Sequence, residues 1–296
     1  MMFRLRRLLA PFVLCIALLF SEAQAFTIAW LSDTQNYHNA YKPIFDGMTQ
    51  WIADNREALD IRFVFHTGDV VGSWSSEDQW RQARESMGIL SSASIPFLTA
   101  CGNHDIGYRM NYANYLKYLL SLRPASMSQE YGDTGSRYEL FSANGRDYIF
   151  MGIAFSNKGP SEDEVNWING VLRQYSSRDA IIITHSYLKK SAAYTTQGKA
   201  IFEKIVKANP NVFLVLCGHC RDISEKSVQL DDDGDGNPDR TVYAILSNFQ
   251  GSKAGGGGYM RILDFRDSDI YIYTYSPYYD SCEYPKGKTE ATVPLP

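Results

Sequence analysis

Ile61-Arg62-Phe63-Val64-Phe65-His66-Thr67-Gly68-Asp69-Val70-Val71 decides the fold. An apolar run ends abruptly in a turn-forming glycine and a carboxylate, the pattern of a buried strand whose carboxyl end opens into a loop. The same grammar recurs on either side. Phe26 to Leu31 leads into Ser32-Asp33-Thr34-Gln35, and Ile95 to Ala100 into Cys101-Gly102-Asn103-His104-Asp105. Ala180 to Ile183 leads into Thr184-His185, and Asn211 to Leu216 into Cys217-Gly218-His219. These strands deliver Asp33, Asp69, Asn103, His185 and His219 just beyond their ends. In open α/β sheets that edge is where ligands bind. Carboxylate, carboxamide oxygen and imidazole are donors that Fe, Mn and Zn share. Taken singly, each residue reads as a turn former or a structural side chain; together they read as a site.

Helical patterns separate the strands. Tyr41, Ile44, Phe45, Met48, Trp51 and Ile52 share one helical face, as do Trp80, Ala83, Met87 and Leu90 after Ser76. Ser76-x-x-Gln79 and Ser161-x-x-Glu164 can each close a capping box. Tyr138 to Phe141 and Tyr148 to Ile153 read as a hairpin around Asn144-Gly145. Tyr243 to Leu246, Tyr259 to Phe265 and Ile270 to Tyr275 read as strands. With no repeat and no linker, the economical reading is one α/β domain over residues 26–280, then a tail over 281–296.

The chain has 296 residues, 45% apolar and 21% charged, which excludes an intrinsically disordered protein. Its net charge of −4 gives no basic field, so no nucleic acid-binding surface is expected. Residues 1–25 have the layout of a signal peptide. Arg4, Arg6 and Arg7 form a basic head, Leu8 to Phe20 a short apolar run, and Ala23-Gln24-Ala25 a small-residue exit. The expected mature chain begins at Phe26, is secreted or periplasmic, and has no membrane span. Export makes disulfides among Cys101, Cys217, Cys220 and Cys282 an expectation, with the pairing open.

The strings Asp33-Thr34-Gln35-Asn36-Tyr37, Gly68-Asp69-Val70-Val71, Gly102-Asn103-His104-Asp105, Thr184-His185 and Gly218-His219 resemble, in order, those of the calcineurin-like metallophosphoesterases. The D-T-Q opening looks like an exported bacterial branch of that family. The resemblance implies a four-layer α/β/β/α sandwich of two mixed sheets flanked by helices. It also implies one or two divalent metal ions (Fe, Mn or Zn) at the strand ends. Asp69 would bridge two metals, Asp33 would hold the first, and Asn103, His185 and His219 would complete the second. Gln35 and Arg221 stand where the family pattern has histidines of the first metal. The Gln35 oxygen is a candidate ligand, His38 and Asp222 are nearby substitutes, and Arg221 is a candidate for binding the substrate phosphate. The implied reaction is hydrolysis of phosphate mono- or diesters by a metal-bound hydroxide. His104 would sit beside the scissile phosphate, oriented by Asp105. The competing reading is a non-catalytic binding protein that keeps the fold and one structural metal.

Three further motifs carry readings of their own. Asp231, Asp233, Asp235 and Asp239 space their oxygens like a short extracellular calcium loop, or form a solvated hairpin turn. Cys217-Gly218-His219-Cys220 spells a dithiol string, without the surrounding unit that an oxidoreductase needs. Gly255 to Gly258 reads as a flexible hairpin near the rim of the site.

Overall fold

The computed structural model describes residues 25–107, 110–122, 129–132, 134–285 and 290–296. Residues 1–24, and with them almost all of the expected signal peptide, lie outside the described residues. The strands in chain order are β1 (Phe26–Leu31), β2 (Ile61–His66), β3 (Phe97–Thr99), β4 (Gln129–Glu130), β5 (Arg137–Ala143), β6 (Arg146–Ile153) and β7 (Asp179–Thr184). They continue with β8 (Val212–Cys217), β9 (Asp222–Leu230), β10 (Arg240–Asn248), β11 (Met260–Phe265), β12 (Asp269–Tyr275) and β13 (Glu290–Pro294). One six-stranded sheet has the order β13-β12-β11-β1-β2-β3, and a seven-stranded sheet has the order β4-β5-β6-β7-β8-β10-β9. In the first sheet β1, β2 and β3 are parallel; in the second, β6, β7, β8 and β10 are parallel. Parallel strands covered on both faces read as continuous apolar runs, which is why these were visible in the sequence.

Alternation along the strands builds the layers. Ile28 and Trp30 of β1, with Phe63 and Phe65 of β2, face the second sheet and meet Phe150, Ile181, Ile183, Leu214 and Leu216. Phe63 and Phe65 each set a ring edge against Phe150, with centroids 5.0 and 4.9 Å apart. Ala29 and Leu31 face the other way, onto helices α1 (Lys42–Asp54) and α2 (Glu77–Ser92). On the far side, Ile149, Met151 and Ile182 pack with Val165, Ile168 and Leu172 of a helix over Glu162–Gln174. The result is the expected four-layer sandwich of two mixed sheets flanked by helices.

Several local expectations are corrected. Ser76 and Ser161 do cap their helices, accepting from the N–H of Gln79 and Glu164 at 3.4 and 3.2 Å. The reciprocal arms go elsewhere: Gln79 Oε1 accepts from Gly72 and Ser73, and Glu164 accepts from the Ser136 hydroxyl. The segment read as a tail supplies β13, which extends the first sheet antiparallel to β12 and buries Ala291 and Val293. Cys101, Cys217, Cys220 and Cys282 are free thiols, so the expected disulfides do not form. Cys217 ends β8 in the core, where burial pushes its thiol up to about 12 and so disfavours a reactive thiolate.

Candidate metal centre

Parallel strands ending side by side bring the polar loops together. Asp69 Oδ2 lies 3.2 Å from His185 Nε2. Asn103 Oδ1 and His219 Nδ1 each lie 3.1 Å from the same nitrogen. His185 Nδ1 donates to the Thr67 carbonyl at 2.9 Å, which aims Nε2 at this point. His185 and Asp69 are almost wholly buried, whereas Asn103 and His219 are partly open. The Phe155 ring stands 5.8 Å from both imidazoles and walls one side.

Three site residues have left-handed backbone: Asp33 (φ 51°), Asp69 (φ 53°) and His219 (φ 69°). The sharp turns aim their side chains back across the strand ends. Neighbouring glycines make room. A Cβ on Gly102 would stand 2.2 Å from Asp69 Oδ1, and one on Gly218 would stand 2.3 Å from Asp33 Oδ2. Asp69 Oδ1 accepts from the His104 N–H at 2.8 Å, leaving Oδ2 for the site.

Charge follows burial. Desolvation raises the Asp33 carboxyl to about 7 despite the nearby His185 imidazole. Burial also opposes ionisation of Asp69, but His185 beside it holds this carboxyl below its ordinary range. Burial lowers His219 to about 4 and His66 to about 3, so both are neutral imidazoles at physiological pH.

The remaining predicted residues divide. Asp33 is buried and accepts from the Ser32 hydroxyl, the His219 N–H and the Gln250 amide. Gln35 Nε2 donates to Asp69 Oδ2 at 3.2 Å, while its Oε1 is buried without a hydrogen-bond partner. His104 is exposed, with Nδ1 2.9 Å from the Gly72 carbonyl. Asp105 does not orient it, which corrects that expectation. Asp105 Oδ1 accepts from Val70 and Val71, and Oδ2 accepts from Gly102. Its carboxylate therefore ties two site loops together. Arg221 is exposed and makes no hydrogen bond or ion pair among the described residues. Neither His38 nor Asp222 supplies a ligand to the cluster: His38 bonds the Gln35 carbonyl, and Asp222 pairs with Lys190. In the acidic loop, Asp231, Asp233 and Asp239 converge within 4.8 Å, but Asp235 accepts from Asn237 instead.

Sequence reasoning missed Thr34, whose hydroxyl meets His66 Nε2 at 2.9 Å. His66 Nδ1 accepts from the Gly68 N–H, so Nε2 carries the proton, and the ring pins the Asp33 loop to the Asp69 loop. Asn248 donates to the His219 carbonyl at 3.1 Å.

The donor set fits a divalent metal. One imidazole N–H cannot serve the acceptors of Asp69, Asn103 and His219 together, whereas one cation can. The orphaned Gln35 oxygen is a further acceptor that a half-turn of its amide would present to the site.

The sequence model for calcineurin-like phosphoesterases matches residues 26–220. The chain belongs to that family, whose members use divalent metals on phosphate esters. A Bacillus subtilis (strain 168) protein, "Uncharacterized protein YvnB", is 40% identical over 259 residues, covering 86% of this chain and 20% of the relative. The chain thus spans about a fifth of the curated relative it matches. A dimetal phosphatase from Danio rerio has a TM-score of 0.60 at 12% identity, covering 91% of this chain and 98% of that one. GAP50, described as the anchor in the inner membrane complex of Plasmodium, has a TM-score of 0.59 at 14% identity, covering 92% and 89%. These two structural likenesses show the fold. Among the described residues, no helix is long and apolar enough to cross a membrane.

Proposed function

We propose that the chain is an exported metal-dependent phosphoesterase acting on phosphate mono- or diesters. In this reading Asp69, Asn103, His185 and His219 form the stronger metal position, and Asp33 and Gln35 are the poorer set beside it. The observation that carries the reading is the convergence of Asp69, Asn103 and His219 donors within 3.2 Å of His185 Nε2. When bound, the metal supplies positive charge to the ester and acidifies water.

The chain's own residues do the rest. The Thr67 carbonyl keeps His185 in one tautomer. The His104 N–H fixes the Asp69 carboxylate, and the exposed His104 ring donates Nδ1–H to the Gly72 carbonyl, so that in its imidazolium form it would have the Nε2 proton to give to the departing oxygen. Arg221 offers a guanidinium to a phosphate oxygen. The export reading rests on residues 1–25, and the mature N-terminus is expected at Phe26 by mass spectrometry.

The test is turnover. Protein loaded in turn with Mn, Fe and Zn is expected to release nitrophenol from p-nitrophenyl phosphate or bis(p-nitrophenyl) phosphate. Asn103→Ala and Asp69→Ala should each lose on the order of 100-fold in rate. No turnover by protein shown to carry its metal overturns this reading in favour of a non-catalytic binding protein with one structural metal. Gln35 and Arg221 at the two replaced histidine positions favour that second reading.

A further inference from the structure

We propose that a cavity beside the glycine-rich loop receives the organic substituent of the ester, and that this substituent carries a planar aromatic ring. The inference rests on the phosphoesterase reading above. The cavity, about 1080 Å³, is lined by Gly251, Lys253, Tyr259, Tyr279, Glu283 and Tyr284 among others. That is the size of a small-molecule site. Tyr259 and Tyr284, 5% and 7% exposed, form its floor with ring centroids 5.0 Å apart. Tyr279, 44% exposed, stands as a wall 5.7 Å from Tyr259, and its hydroxyl has no hydrogen-bond partner among the described residues.

The cavity adjoins the segment that reaches the metal centre. Gln250 reaches Asp33 at 3.4 Å, and the next residue, Gly251, lines the cavity. Arg221 approaches the same residue, with its Cδ 3.9 Å from where a Gly251 Cβ would be. The glycine run explains how aromatic rings settle on this loop. A Cβ on Gly257, at φ 63°, would stand 2.6 Å from the Tyr279 ring, and one on Gly256 would stand 2.4 Å from the Tyr37 hydroxyl. Tyr37 follows the Asp33-Thr34-Gln35 motif. The loop is therefore thin enough to carry the buried Tyr37 ring and the cavity-lining Tyr279 ring together.

The lining selects the ligand class. A lipid chain calls for aliphatic walls; this cavity offers tyrosine faces, with Lys253 and Glu283 for polar edges. A flat ring stacks on such faces in offset or edge-to-face geometry.

Calorimetry on metal-loaded protein with phenylphosphonate and methylphosphonate tests the assignment. The wild type is expected to prefer phenylphosphonate by about 3- to 10-fold, a preference lost in Tyr279→Ala and kept in Tyr279→Phe. In turnover, Tyr279→Ala should raise KM for the nitrophenyl ester and leave kcat unchanged. Equal wild-type affinity for both phosphonates, or a preference untouched by Tyr279→Ala, overturns the proposal. Absent turnover with the phenyl preference intact overturns the phosphoesterase reading and supports the cavity as an aromatic-ring site.

Discussion

Asp105 accepts the backbone N–H of Val70 at 2.8 Å, and its second oxygen accepts the N–H of Gly102 at the same distance. One buried carboxylate thereby sets the spacing between the loop that carries Asp69 and the loop that carries Asn103. Asp105→Asn keeps one acceptor oxygen but turns an amide NH2 toward one of the N–H donors. The substitution is expected to lower stability by about 1–3 kcal/mol. Because the two loops drift apart, metal affinity should fall about 10-fold or more. Chemical denaturation and titration in metal buffers measure both; unaltered affinity in the folded variant would contradict the tie.

His104 stands beside the cluster without contributing to it. If its open nitrogen protonates the departing oxygen, the need depends on the leaving group. His104→Ala should slow an alkyl phosphate ester by roughly 100-fold or more. A nitrophenyl ester, whose leaving group departs as a stable anion, should slow far less. Rates for the two esters compared in the same variant decide the matter, and an equal loss on both would remove His104 from proton transfer.

Glu164 is a buried carboxylate at the start of its helix, bonded by the Ser136 hydroxyl. Desolvation raises its pKa above 4.5. The folded state therefore favours the protonated form. Its stabilising contribution is present at acid pH and is lost as pH rises through the raised value. Glu164→Gln removes the charge and keeps an acceptor for Ser136. The variant is expected to melt at or above the wild type near neutral pH, with the wild type gaining on it as pH falls toward 4.5. Parallel melting curves across that range would show that Glu164 is not desolvated as described.

The ends of the central strands were legible because buried parallel strands leave unbroken apolar runs that polar loops interrupt. Asp33, Asp69, Asn103, His185 and His219 could be read from that alone. Strand β9 was not, because Asp222-Ile-Ser-Glu-Lys-Ser-Val-Gln-Leu lies at a sheet edge and is mostly polar, with four polar residues running between Ile223 and Val228. Strand β13 escaped because Glu290-Ala-Thr-Val-Pro has only Ala291 and Val293 to bury. The role of Asp105 was misread for a different reason. A carboxylate beside a histidine in sequence suggests a pair, and nothing in the letters says that three backbone amides lie nearer. Cysteine count likewise suggested bridges, whereas burial separates Cys101 and Cys217 in the core from exposed Cys282.

The left-handed turns at Asp33, Asp69 and His219 have a consequence for how such a chain evolves. Each conformation costs a non-glycine residue on the order of 1 kcal/mol. The backbone would rest more easily with glycine at all three, and glycine binds nothing through a side chain. Local frustration is therefore concentrated where the chemistry is. Selection for robustness alone would erode these positions first, and a sturdier descendant that has lost its ligands is the expected product of relaxed constraint.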